Sequence, residues 1–358
     1  MTQRTEKTRK RRANATTGRA PSRPRGVTHF FHRCDPTYMS DESRRVVVDT
    51  DTAGDDTQAL LMAVASDRVS VEAVTIVGGN VEFEYEVENA KYTLQLADAE
   101  DVPVYEGARD PLVKDHEFAD YVHGEGGLGG DLFPDTDIDS ADGYGPDAIV
   151  QMARDNPGEL TLLCIGPLTN VALACRQEPE LNELLDEVWV MGGAVNTLGN
   201  DTPSAEYNFW VDPDAAKVVV DELDVTLVDW GVCMEYGAFG PEILDRIDDI
   251  DTPFAEFYRT ITSHVREFTR EQQGIDAVTQ PDSLAAALMI APELRGEVGH
   301  YYVDVDEREG MTRGHSLVDE NGVLDEEPNT HVVESLDADR FAEMSLAMLR
   351  GETPESGL

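Results

Sequence analysis

Along this chain, short apolar runs of strand length alternate with longer stretches of helical period. Residues 46–48 (VVV) open the series. Ala59, Leu60, Met62 and Ala63 then continue it as the start of a helix. VEAVTIV (71–77) predicts a second strand, with a helix over 84–99, and PVYEG (103–107) a short third strand. A helix over 142–157 leads to LTLLCI (160–165), a continuous apolar run of the kind buried on both faces of a parallel sheet. A helix at 171–175 and strands at 187–191 and 224–229 follow. Asp212 and Pro213 between those strands mark a helix start, an Asp cap before a first-turn Pro. Helical period covers 241–271, with Phe254, Phe257, Ile261 and Val265 on one face, and 283–290, which Asp282 is expected to cap. Strand-like segments at 299–305, 311–317 and 330–335 precede a last helix at 337–350. Such alternation predicts one α/β domain. It is a doubly wound, mostly parallel, Rossmann-like open sheet with helices on both faces and a small C-terminal β segment.

Polar residues collect where these strands end. Asp49, Asp51, Asp55 and Asp56 fall within eight residues, with Gly54 among them, between the first strand and the first helix. Gly78, Gly79 and Asn80 end the second strand, Gly166 to Asn170 follow the apolar run, and Gly192 and Gly193 end the next strand. In open α/β sheets ligands bind at the carboxyl ends of strands. Four clustered carboxylates raise one another's pKa unless a cation sits between them, and a hard divalent ion with oxygen ligands answers that need. Acids that only solvate a surface scatter over helix faces, whereas these gather at one strand end. HGEGGLGG (123–130) reads as a glycine-rich loop, and neither GxGxxG nor a Walker lysine pattern occurs.

Charge divides the chain in two. Ten of its 28 Lys and Arg, but only two of its 72 acids, lie in residues 1–38. The remainder therefore carries 70 acidic against 18 basic residues, within an overall formal charge of -44. Residues 1–38 are read as a basic disordered tail or a misplaced start, with Met39 the true beginning, and residues 39–358 as the folded domain. An acidic excess of this size keeps a protein soluble in strong salt, so a halophilic, archaeal source is expected. It also disfavours nucleic-acid binding by the main domain, which needs a basic face. Cys34, Cys164, Cys175 and Cys233 are widely spaced and form no CxxC pair, which fits a reduced, cytoplasmic setting. No apolar run reaches membrane-spanning length.

The acidic turn stands as Asp49-Thr-Asp51-Thr-Ala-Gly54-Asp55-Asp56. With TIVGGN (75–80), PVYEGARDPL (103–112), HGEGGLGG (123–130), IGPLTNVALA (165–174), VWVMGGA (188–194), AEYNFWVDPDAA (205–216) and PDSLAAA (281–287), it resembles the inosine/uridine-preferring nucleoside hydrolases, in order and spacing, over roughly residues 46–345. The resemblance implies hydrolysis of the N-glycosidic bond of a ribonucleoside to ribose and free base. It implies Ca²⁺ held by Asp51, Asp56, the main-chain carbonyl of Ile165 and Asp282, with Asp51 also the general base toward the attacking water. Asp55, Asn80, Asn200, Glu206 and Asn208 are implied as the ribose grip, and Asp49 as a carboxylate steadying the metal ligands. A homodimer or homotetramer is implied as well. His123, Tyr207 and Trp210 are candidates for the base side, with Glu235 and Tyr236 behind them.

Two departures from the family pattern stand out. Pro281 occupies the place of a His that protonates the leaving base, and the first turn reads Thr52-Ala53-Gly54 without the family's proline. Two other readings compete. VVVDTDT also fits the haloacid-dehalogenase-type phosphatases, in which Asp49 is a nucleophile and Mg²⁺ is bound. That chemistry needs a later lysine, and only Lys91, Lys114 and Lys217 follow residue 10. The other is a calcium-dependent nucleoside or sugar binder without catalysis, which Pro281 would suit.

Overall fold

The computed structural model describes residues 43–358 except 273 and 275, and the backbone alone of Gln272. The expected tail at 1–38 lies outside the described residues. Nine strands form one sheet: β1 (Arg44–Thr50), β2 (Val69–Ile76), β3 (Val104–Glu106), β4 (Leu160–Cys164), β5 (Leu185–Met191), β6 (Val225–Val228), β9 (Val298–Val305), β10 (Ser316–Asp319) and β11 (Thr330–Val333). Two residues each from β7 (Ala238–Phe239) and β8 (Val278–Thr279) pair separately. The order in the large sheet is β10-β9-β11-β6-β5-β4-β1-β2-β3. All neighbours run parallel except β9, which is antiparallel to both β10 and β11. The doubly wound α/β expectation is met, and the small C-terminal β segment is the antiparallel edge.

The chain builds outward from β1 in one direction through β2 and β3, and in the other through β4, β5 and β6. Connections leave β1 and β4 on opposite sides, so the crevice between their carboxyl ends is the switch point where open sheets bind ligands. The interior strands are buried and largely apolar along their central residues because a core covers each face. One core contains Val46, Val48, Leu60, Leu61 and Leu284 to Ile290. The other contains Val47, Leu162, Val171, Val219 and Leu227. Alternation along β1 sends neighbouring valines to opposite cores.

Several boundaries differ from the sequence expectation. The 241–271 helix is two, Pro241–Asp248 and Pro253–Gln272, because Pro253 disfavours helical backbone at the residue before it. Asp282 does not cap its helix. Pro281 is the first helical residue of Pro281–Ile290, so Asp282 sits inside the first turn and Gln280 at the cap. The strand expected at 311–317 begins only at Ser316, after a turn through Gly314 at φ +79°. Asp212 does cap Pro213–Glu222, accepting a hydrogen bond from Ala215 N at 3.0 Å. Among the described residues no helix is long and apolar enough to cross a membrane.

Candidate active site

The acidic turn leaves the carboxyl end of β1 and enters the helix Asp56–Ala65. The first turn of that helix carries Asp56 and the first turn of Pro281–Ile290 carries Asp282, where a helix N-terminus favours negative charge. One carboxylate oxygen from each of Asp55, Asp56 and Asp282 lies within 4.8 Å of the others. Asp55 Oδ2 accepts from Asp282 N at 3.3 Å, which joins the two helix starts.

Asp51 is fully buried beside this trio. Its Oδ2 accepts from Asn80 N at 2.9 Å, while Oδ1 has no hydrogen-bond partner. Burial, and then the charges of Asp56 and Glu86, push its carboxyl well above the usual range. Burial and the charge of Asp55 push Asp56 up to about 7, against hydrogen bonds from Thr50 Oγ1 at 2.6 Å and Ala53 N at 3.2 Å. Burial and the charges of Asp55 and Asp56 also raise Asp282. Asp49 stands behind them, one oxygen held by Thr75 Oγ1 (2.5 Å) and Asn170 Nδ2 (2.8 Å) and the other without a partner. Burial lifts it to about 7. Unneutralised carboxylates this deep are costly. Orphaned buried oxygens beside three converging carboxylates, all hard donors, are what a calcium-like ion requires, so the residues fit a divalent cation.

The surroundings are shaped to that cluster. A Cβ on Gly79 would stand 2.0 Å from Asp51 Oδ2, and one on Gly166 2.8 Å from Asp51 Oδ1, so glycine is needed at both for backbone to approach the carboxylate. Glu86, itself buried, accepts from Gly79 N (3.0 Å) and Val81 N (3.1 Å) and so holds the turn that carries Asn80. Asn80 Nδ2 in turn donates to Asp51 O and Asp56 Oδ2, each at 3.3 Å.

A cavity of about 180 Å³ opens above the cluster. Asp55, Asn80, Ile165, Asn200, Glu206, Asn208 and Asp282 line its polar side. Glu206 accepts from Asn208 N (2.9 Å), Gly193 N (2.8 Å) and Phe209 N (3.2 Å), and burial raises it to about 7. Asn208 Nδ2 donates to the Ile165 carbonyl at 3.1 Å, and Asn200 Oδ1 accepts from Tyr207 N at 2.8 Å. The other side is mostly apolar. Ile261, Val265 and Phe268 come from the helix Pro253–Gln272, joined by Trp230, Met234 and Val278.

Of the base-side candidates, His123 and Tyr207 line the cavity. His123 Nδ1 is buried without a partner, and burial lowers its pKa. Tyr207 Oη donates to Gly79 O (2.7 Å) and Glu117 O (3.0 Å). Trp210 does not line the cavity. It is two residues beyond Asn208 on one helix, which turns it to another face, and Lys114 Nζ sits 4.2 Å over its ring. Trp230 takes that place, on a helix (Trp230–Tyr236) that the sequence pattern missed. Glu235 and Tyr236 are also off the cavity wall, which their helix neighbour Met234 does join. Pro281 lines the cavity but carries no proton to give.

The model of the family described as inosine-uridine preferring nucleoside hydrolase matches residues 46–343. A pyrimidine-specific ribonucleoside hydrolase of Escherichia coli is 31% identical over 311 residues, 87% of this chain and 98% of the relative. A solved plant nucleoside hydrolase superposes with a TM-score of 0.81 at 29% identity, covering 86% of this chain and 99% of its own. A purine-preferring ribonucleoside hydrolase from Gardnerella vaginalis gives 0.80 at 26% identity, with coverage of 86% and 98%. The chain thus belongs to the inosine-uridine preferring nucleoside hydrolase family and is a hydrolase of N-glycosyl bonds in ribonucleosides.

Proposed function

We propose that the chain splits ribonucleosides into ribose and free base with Ca²⁺ bound by Asp51, Asp56, the Ile165 carbonyl and Asp282. The observation that carries this reading is Asp51 Oδ1, buried and unpartnered beside the carboxylates of Asp55, Asp56 and Asp282. When bound, the ion supplies positive charge that fixes the ribose diol and makes the attacking water more acidic. Asp51 Oδ2 is occupied by the Asn80 amide, so Oδ1 is the oxygen left to accept the water's proton. Asp49 takes no part in proton transfer and fixes the turn through Thr75 and Asn170.

Asp55, Asn80, Asn200, Glu206 and Asn208 face the cavity together and form the ribose grip. As the glycosidic bond lengthens, positive charge grows on the ribose ring, and the Glu206 carboxylate and the amide oxygens offset it. On the base side His123 lies at the cavity wall, and with a lowered pKa it is neutral at pH 7 and has one N–H to donate. It takes the leaving-group role that Pro281 cannot perform. A homodimer or homotetramer in a saline cytoplasm completes the reading.

The phosphatase reading has no support in the lysines. Lys91 pairs with Glu88, Lys114 with Glu117 and Lys217 with Asp304, and none lines the cavity.

A turnover screen in high salt tests the proposal. Ribonucleosides are incubated with and without Ca²⁺ and release of reducing sugar is followed, with Asp51→Ala alongside. Release that needs Ca²⁺ and falls about 10³-fold or more in the variant is the expected result. No release from folded, calcium-loaded protein would overturn it and favour a nucleoside binder. Light scattering reads the oligomeric state.

A further inference from the structure

A second group of metal-ligating side chains lies at the opposite end of the sheet. Alternation along β9 and β11 sends Val303, Val305 and Val332 into one core. His300 and His331 therefore point from the other face. The two strands are antiparallel and the two histidines are direct partners, with rings stacked at 4.2 Å between centroids and 8° between planes. On the far side of β11, β6 runs parallel with Thr226 opposite His331, and Asp224 immediately precedes that strand. The three residues thus sit at the amino ends of β6 and β11, whereas the hydrolase site lies at the carboxyl ends of β1, β2 and β4.

One ligand atom from each of Asp224, His300 and His331 lies within 4.8 Å of the others. His331 Nε2 is 3.5 Å from Asp224 Oδ1. That is long for a hydrogen bond. It does match the roughly 3.4 Å between two donors that each stand about 2.0–2.1 Å from one tetrahedral ion. Two imidazoles and one carboxylate suit a borderline-soft divalent ion rather than calcium. Two adjacent strands and the residue that leads into a third carry the ligands, so their backbone is already placed and the entropy lost on binding is small. All three side chains reach solvent, which gives an ion a path in.

We propose that Asp224, His300 and His331 form a binding site for a divalent transition-metal ion of the zinc, nickel or copper type, separate from the hydrolase centre. An ion there links the antiparallel edge, through β9 and β11, to the parallel body of the sheet at β6.

The test uses full-length protein saturated with Ca²⁺, as wild type and as His300→Ala, His331→Ala and Asp224→Asn. Calorimetric titration with Zn²⁺ and Ni²⁺ should show one equivalent in wild type that each His variant lacks. Cu²⁺ bound to wild type should show nitrogen hyperfine structure in its electron paramagnetic resonance spectrum, and this should disappear in the His variants. At a hundredfold excess over Kd, Zn²⁺ should raise the wild-type Tm by about 4 °C, and the His variants should not respond. Hydrolysis should stay unchanged in all three. Equal stoichiometry in wild type and both His variants would overturn the proposal, as would an oxygen-only copper spectrum in wild type. Asp224→Asn leaves both imidazoles in place, so it weakens binding without abolishing the nitrogen signal, even if an alanine variant folds poorly.

Discussion

Asp49→Asn isolates one buried charge. The carboxyl accepts two hydrogen bonds on one oxygen and none on the other, so an asparagine with its oxygen toward Thr75 and Asn170 keeps both bonds. What the substitution removes is the titration. Burial raises Asp49 from 3.8 to about 7. The folded state therefore holds a proton that the unfolded chain has already released near pH 4. The stability tied to that proton is fully present below pH 4 and is lost as pH rises through about 7. About three pH units at 1.36 kcal/mol each give about 4 kcal/mol. For a chain of this size that corresponds to about 6 °C in Tm. Metal-free wild type and variant are unfolded thermally in strong salt at several values from pH 4.5 to 8, monitored by circular dichroism. Wild type should lose stability relative to Asp49→Asn across that range, and saturating calcium should reduce the loss by favouring the ionised carboxylate. Parallel curves for the two proteins without metal would refute the reasoning.

Three further outcomes follow from the same geometry. Gly79→Ala places a Cβ against Asp51 Oδ2, so kcat should fall at least about 10²-fold in a fixed-time sugar-release assay while the far-ultraviolet spectrum is retained. Glu86→Leu leaves the Gly79 and Val81 amides without their acceptor and should cost about 1–3 kcal/mol per amide in denaturant unfolding. Glu86→Gln keeps an acceptor and should cost much less, so equal losses would show that the clamp does not matter. His123→Ala should lower kcat by about 10²-fold on ordinary nucleosides and far less on an aryl riboside whose leaving group needs no proton. Equal losses on both would exclude the donor role.

The polar half of the site was legible in the sequence because the sheet itself places it there. Asp51, Asn80 and Ile165 are each within a few residues of the end of an apolar run, and a strand end has a fixed position in an open α/β fold. Asp282 reaches the crevice although its helix start was misjudged, since a carboxylate at the cap or just inside the first turn faces the same way. The apolar half was less legible. Whether Trp210 or Trp230 reaches the cavity depends on the direction of two short helices, Tyr207–Val211 and Trp230–Tyr236, too short to show a period. The clamp by Glu86 was also invisible, because a glutamate inside a helix reads as a solvated residue until its burial is known. Opposed histidines on β9 and β11 lie 31 positions apart, and only strand register brings them together.

The apolar wall of the cavity has one more consequence. Ile261, Thr262, Val265, Phe268 and Thr269 all come from the single helix Pro253–Gln272, whereas the polar lining comes from turns and helix starts spread along the chain. Hydrogen bonds such as Asn80 N to Asp51 and Asn208 Nδ2 to the Ile165 carbonyl tie that polar set together. Much of the apolar wall is thus one contiguous segment of the chain, completed by Trp230, Met234 and Val278 from elsewhere. Relatives named for pyrimidine and for purine preference share this one scaffold. Exchanging residues 253–272 between such enzymes would therefore replace much of the apolar wall at once and leave the acidic turn and Asp282 in place.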